Sequence, residues 1–255
     1  MLEIMKTIKY ILSGVMIFIF FDQCTKESQS AAANPAGAGG STARFTISGN
    51  YLYVVDHESL KSFLIEDPLK PVFKSQVELG INIETIFPFE DKLFIGSSSS
   101  MYIYSLANPE LPQKLAKAEY TIRMSCDPVV AKDSVAYATL RASGPCGGGM
   151  SALVVYNIKN ISSPIHVSTR FLSSPYGLGV KDSALYVCLG NDGLRIYNVK
   201  QPYTPDLSNQ ITLTDKAFFD VIPYGNILIC QMDIGFVLYD IGINPLKPVF
   251  LSKFN

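Results

Sequence analysis

LYVCLGNDGLRIYNVKQPYTP, residues 185–205, holds one unit of a pattern that organises the whole chain. Two short apolar runs flank Asn191-Asp192-Gly193, and a proline-bracketed segment, Gln201-Pro202-Tyr203-Thr204-Pro205, follows. Asp-Gly supplies the positive φ of a tight hairpin, so the stretch reads strand, hairpin, strand, turn. Proline fixes φ and removes a donor, so the chain cannot continue as strand and must turn.

Imperfect copies recur from Ala43 to the C-terminus. Anchored on the middle of each second strand, they fall at Tyr53, Phe94, Tyr137, Tyr186 and Ile229, with spacings of 41, 43, 49 and 43 residues. A third strand follows at 60–65, 101–106, 153–158, 194–199 and 236–241, and Phe63, Tyr104, Tyr156, Tyr197 and Tyr239 are equivalent within it. The turn reads Asp67-Pro68-Leu69-Lys70-Pro71, Asn108-Pro109-Glu110-Leu111-Pro112 and Asn244-Pro245-Leu246-Lys247-Pro248, while the third copy keeps only Pro164. A fourth, more polar strand comes next, as an exposed edge should. Periods near 42 with four strands each mean β-propeller blades. The third strands are apolar on both faces, as in LVVY and FVLY, which fits blades covered on both sides by neighbours.

The expectation is an all-β, five-bladed β-propeller of four-stranded blades over 43–255, preceded by a signal peptide (1–23) and a flexible linker (24–42). The first unit starts with its innermost strand and the last ends with its outermost. No strand is left to be shared between the termini, so the ring is expected to close by blade packing.

Lys6 and Lys9 precede an apolar run over 10–21 that ends just before Cys24. That run is short for a bilayer core, which needs about 20 residues, but it suits a signal-peptide core. A cysteine directly after it resembles the lipobox of bacterial lipoproteins, with Cys24 lipidated. Phe21, Asp22 and Gln23 depart from the usual Leu, small residue, then Gly or Ala. An uncleaved anchor or ordinary secretion are the alternatives. Residues 25–42 (TKESQSAAANPAGAGGST) are small and polar and read as a tether. The formal net charge is −1, and no Lys/Arg run suggests a nucleic-acid surface.

GLRIYNVKQPYTP, SMYIYSLANPELP and FVLYDIGINPLKP resemble the LVIVD repeat, a β-propeller repeat of bacterial and archaeal surface and secreted proteins. The middle of the chain is similar to lipoproteins of that family at Cys126-Asp127-Pro128-Val129-Val130, Thr139-Leu140-Arg141, Cys146-Gly147-Gly148-Gly149, Pro175-Tyr176-Gly177-Leu178-Gly179 and Asp220-Val221-Ile222-Pro223. It departs at Tyr176, where the family often carries histidine. The resemblance implies a lipid-anchored propeller of the bacterial cell envelope, on the periplasmic or surface face of the outer membrane, and it brings no agreed catalytic activity.

Cys126 sits on the third unit's innermost strand and Cys146 in its long hairpin insertion, 141–151. Export permits a disulfide between them, and closing a loop of about 20 residues adds roughly 3 kcal/mol. Cys188 and Cys230, on neighbouring second strands, read as buried free thiols. No Cys-x-x-Cys or His-x-x-x-His spacing points to a metal, and no motif points to a cofactor. Glu84 and Asp127 align with Tyr176 and Phe219 on the inner strands, with Asp220 one place further on. Glu84, Asp127 and Asp220 at one channel mouth would bind a cation or act on a sugar. Against that, acids at strand ends are commonly turn residues, and Arg123 on the strand of Asp127 favours an ion pair.

Glu84, Arg123, Asp127, Tyr176 and Asp220 are therefore the candidate binding residues. The function expected is a non-catalytic binding or scaffolding module for a protein or glycan partner, attached to the lipid bilayer through Cys24. A glycan-processing hydrolase is the alternative.

Overall fold

The structure, a computed structural model, describes residues 40–120, 128–142, 147, 149–212 and 216–254. Cys24, Arg123, Cys126, Asp127 and Cys146 lie outside the described residues, as do the leader and most of the tether.

Every element described is a strand, and each sheet is antiparallel with its strands in chain order. Blade 1 comprises β1 (Phe45–Ser48), β2 (Tyr51–Val55), β3 (Ser59–Leu64) and β4 (Val72–Glu78). Blade 2 comprises β5 (Ile83–Phe89), β6 (Lys92–Ser97), β7 (Ser100–Ser105) and β8 (Gln113–Glu119). Blade 3 comprises β9 (Val129–Lys132), β10 (Val135–Leu140), β11 (Ser151–Asn157) and β12 (Ile165–Leu172). Blade 4 comprises β13 (Leu178–Lys181), β14 (Ala184–Cys188), β15 (Leu194–Asn198) and β16 (Asp206–Ile211). Blade 5 comprises β17 (Phe218–Tyr224), β18 (Ile227–Met232), β19 (Phe236–Asp240) and β20 (Val249–Phe254). The first strands touch in succession, β1 with β5, β5 with β9, β9 with β13 and β13 with β17, and so form the inner wall.

The repeat is conformational as well as sequential. Each first hairpin turns in two residues, and the first of them, Gly49, Glu90, Asp133, Asp182 or Gly225, has φ between 50 and 58°. Such left-handed turns match the twist of the strands they join. Each third–fourth strand pair carries one register shift at the same place, before Phe63, Tyr104, Tyr156, Tyr197 and Tyr239. A bulge there bends the outer strand and increases its twist.

Blades are joined by a second repeated device. Tyr53 of blade 1 donates its hydroxyl to the Pro109 carbonyl of blade 2 at 2.9 Å. Tyr137 does the same to Pro202 at 2.9 Å, and Tyr186 to Pro245 at 2.7 Å. Ser75 and Ser168, equivalent on the outer strands, donate to Glu110 O at 2.5 Å and Tyr203 O at 2.9 Å, the carbonyls one residue on. The turns of blades 2, 4 and 5 are thus clamped onto the blade before them. Burial pushes the Tyr53, Tyr137 and Tyr186 phenols up, which keeps them protonated donors. Where the anchor is Phe94, the turn it would hold reads Asn160-Ile161 in place of Asn-Pro.

Buried apolar clusters fill the interfaces between blades 1 and 2, 2 and 3, 3 and 4, and 4 and 5. Blades 5 and 1 form no such cluster among the described residues, which corrects the expectation that the ring closes by blade packing. Phe45 on β1 is 60% exposed, whereas Ile86, Val129, Leu178 and Val221 at the same register are at most 1% exposed. On blade 5, Ile222, Ile229 and Leu238 are only half-buried, and Phe236 and Phe254 are exposed. The faces that would meet are apolar and uncovered.

Tyr186→Phe removes one clamp and strands a partly buried carbonyl. It is expected to cost about 1–2 kcal/mol in urea unfolding. Phe94→Tyr, which faces a turn without the first proline, is expected to gain nothing.

Candidate channel-mouth site

At the end where the inner strands begin, polar bonds tie three blades together. Thr139 of blade 3 donates its hydroxyl to Tyr176 O at 2.6 Å, and Tyr176 N donates to Cys188 O at 2.8 Å. Gly177 N donates to Phe219 O of blade 5 at 2.8 Å. These bonds fix three side chains on one another. The Arg141 guanidinium lies 4.4 Å from the Tyr176 ring centroid, and the Phe219 ring meets Tyr176 edge-on at 4.8 Å. A cation over an aromatic face is attracted by the ring quadrupole. Among the described residues the Arg141 guanidinium has no carboxylate partner.

Asp220 sits directly behind this platform and is 6% exposed. Its carboxylate accepts from Ser41 Oγ at 3.2 Å, from Thr42 Oγ1 at 2.7 Å and from Val221 N at 2.9 Å. Ser41 Oγ in turn accepts from Leu178 N at 2.7 Å, and Ile86 N donates to Ala43 O at 2.9 Å. The segment before β1 therefore bridges blades 2, 4 and 5. Two glycines make room for the acid. A Cβ on Gly177 would stand 2.1 Å from Asp220 Oδ1, and one on Gly40 would stand 2.0 Å from Oδ2. Burial raises the Asp220 pKa, with the Thr42, Val221 and Ser41 bonds pulling the other way.

The structure brings Tyr176 and Asp220 together and adds Phe219 and Arg141 to them. Glu84 occupies the bulge of β5, half-buried, and Phe219 occupies the matching bulge of β17. Glu84 therefore aligns with Phe219, as expected, and the register partner of Asp220 on β5 is Thr85. Arg123 and Asp127 lie outside the described residues, and so does the Cys126–Cys146 pairing. Cys188 and Cys230 are buried free thiols in the core between blades 4 and 5. Among the described residues no three His, Cys, Asp or Glu side chains gather to hold a metal. The sequence reading missed Ser41 and Thr42, because two hydroxyls in a Gly/Ala/Ser run look like tether. The available signal was an aspartate on an inner strand, which has to find donors if it is buried.

Solved structures of low sequence identity share this architecture. A periplasmic gluconolactonase from Pseudomonas aeruginosa superposes with a TM-score of 0.59 at 14% identity, over 81% of this chain and 67% of that one. A protein from Lactobacillus plantarum gives 0.63 at 9%, over 82% and 69%. BamB from Moraxella catarrhalis gives 0.52 at 13%, over 82% and 59%. The fold is a five-bladed β-propeller. No family model and no curated protein matches the chain. The propeller spans about three fifths to two thirds of the length of these solved structures.

A raised Asp220 pKa means the folded propeller holds that proton more tightly than the unfolded chain does. The group's contribution to stability therefore falls as pH rises from the ordinary carboxylate range through the raised folded value. Asp220→Asn is expected to remove that segment of the stability–pH curve in urea melts, and an unchanged curve would show an ordinary surface acid. Gly177→Ala is expected to destabilise by more than about 2 kcal/mol, since its Cβ meets a carboxylate held on several sides.

Proposed function

We propose that this chain is a non-catalytic binding or scaffolding propeller of the bacterial envelope, of the LVIVD-repeat type and held to the membrane through lipidated Cys24. The observation that carries the non-catalytic reading is the state of Asp220. The acid best placed for chemistry at the mouth is buried, and its oxygens are taken by Ser41, Thr42 and the Val221 amide. A carboxylate held this way fastens blades. The Arg141–Tyr176–Phe219 platform adjoins it, since Phe219 precedes Asp220 on the same strand. A rigid scaffold presenting a guanidinium, two aromatic rings and one long loop suits recognition of a protein or glycan. Among its structural neighbours, BamB and the gluconolactonase differ in kind, so the fold leaves both readings available.

Glycan processing is the second reading, and the Tyr176–Phe219 pair favours it as a stacking surface for a sugar. A screen against glycans and sugar lactones separates the two. No turnover is expected from the wild-type protein. Turnover that Asp220→Asn abolishes without loss of fold would establish the hydrolase instead. For the binding reading, a photo-crosslinker placed at position 219 in cells should trap one discrete partner, and Arg141→Glu should remove that product.

Membrane attachment is tested apart from binding. Cys24→Ser is expected to move the protein out of the membrane fraction, and continued sedimentation with membranes would point to an uncleaved anchor. Export also fits the pairing of Cys126 with Cys146. Non-reducing peptide mapping should find them linked, with Cys188 and Cys230 alkylated only after denaturation.

A further inference from the structure

The uncovered faces of blades 1 and 5 carry the parts of a blade interface without a partner. The turn Pro245-Leu246-Lys247-Pro248 of blade 5 is docked on blade 4, where Tyr186 holds the Pro245 carbonyl and Leu246 packs against the core. Blade 1 carries the same four residues, Pro68-Leu69-Lys70-Pro71, and there Leu69 is 90% exposed. One knob is seated and its twin is free. A socket of the matching kind exists on the far face of blade 5. Ser252 on β20 stands at the register position of Ser75 and Ser168, the residues that clamp the next blade's turn. Ile222, Ile229 and Leu238 beside it are half-buried, and Phe236 is 48% exposed.

Within one copy the knob and the socket do not meet. Ser41 and Thr42 hold the leading segment against Asp220, yet Phe45, three residues further on, remains exposed on the open face. We propose that the open faces of blades 1 and 5 join a second copy of this chain, with the Leu69 turn of each copy seated on blade 5 of the other. A blade face is the natural complement of a blade face; the knob is the one already seated between blades 4 and 5, and Ser252 holds the position from which Ser75 and Ser168 clamp the turns of blades 2 and 4. A two-fold pairing fills both seats at once, whereas a one-sided contact would leave a free face at each end. Anchor residue Ile229 brings no hydroxyl for Pro68, so this joint rests on apolar burial and the Ser252 clamp.

Light scattering on the full chain after size exclusion, across a dilution series, tests the proposal. A dimer is expected for the wild type. Leu69→Asp on the knob and, independently, Phe236→Lys beside the socket are each expected to give monomer. The Leu69 side chain is exposed in the isolated copy, so the Leu69→Asp monomer should retain the melting temperature of dilute wild type. A wild-type monomer at every concentration overturns the proposal. So does a Leu69→Asp protein that stays dimeric. A lowered melting temperature of an already monomeric Leu69→Asp protein would show instead that the faces close on each other within one chain.

Discussion

A four-stranded blade with two apolar faces has to be covered twice, and that requirement governs the whole molecule. Any single sheet of this chain would be a marginal structure in water. Stacking the blades buries a continuous series of cores, and the stack is directional, because the turns of blades 2, 4 and 5 are gripped by the blade before them. Tyr53, Tyr137 and Tyr186 provide the grip from inside, and Ser75 and Ser168 provide it from the outer strand. One face of blade 1 and one of blade 5 remain bare.

What was legible in the sequence was whatever is local. Blade number, strand order and the equivalence of Phe63, Tyr104, Tyr156, Tyr197 and Tyr239 follow from a repeated pattern of short apolar runs and proline turns, and the bulges fall at those residues. The state of the seam was not legible, because no local pattern reports whether two apolar faces distant in sequence meet. The apolar character of Phe45 and Ile229 fits a covered face and an uncovered one alike. At the mouth, Tyr176 and Asp220 were found by alignment of the inner strands. Glu84 and Phe219 occupy matching bulges on β5 and β17, so counting back from the anchors aligns them and leaves Asp220 one place further on.

Asp220 shows how a repeat protein marks one of its repeats. Its counterpart on β5 is a threonine, and on blade 4 the place belongs to Gly177, kept small so that the carboxylate has room. The donors come from a segment that precedes the first blade altogether. A buried carboxylate of this sort is costly unless its lone pairs are filled, and here hydroxyls and amides from both ends of the domain fill them. That ties the register of the last blade to the start of the first, at the inner rim, while the facing sides of the same two blades remain unpacked.

Cys188 and Cys230 lie on opposite sides of the core between blades 4 and 5, with burial raising both thiol pKa values. Neither can meet a solvent reagent while that core is intact. They amount to an internal chronometer. The rate at which they become modified under native conditions reads how often the terminal blade detaches from the rest, an event separate from global unfolding. Blade 5 is packed on one side only, so its opening uncovers a single blade interface. Anything that settles on its bare face slows the clock by the amount it stabilises the closed form.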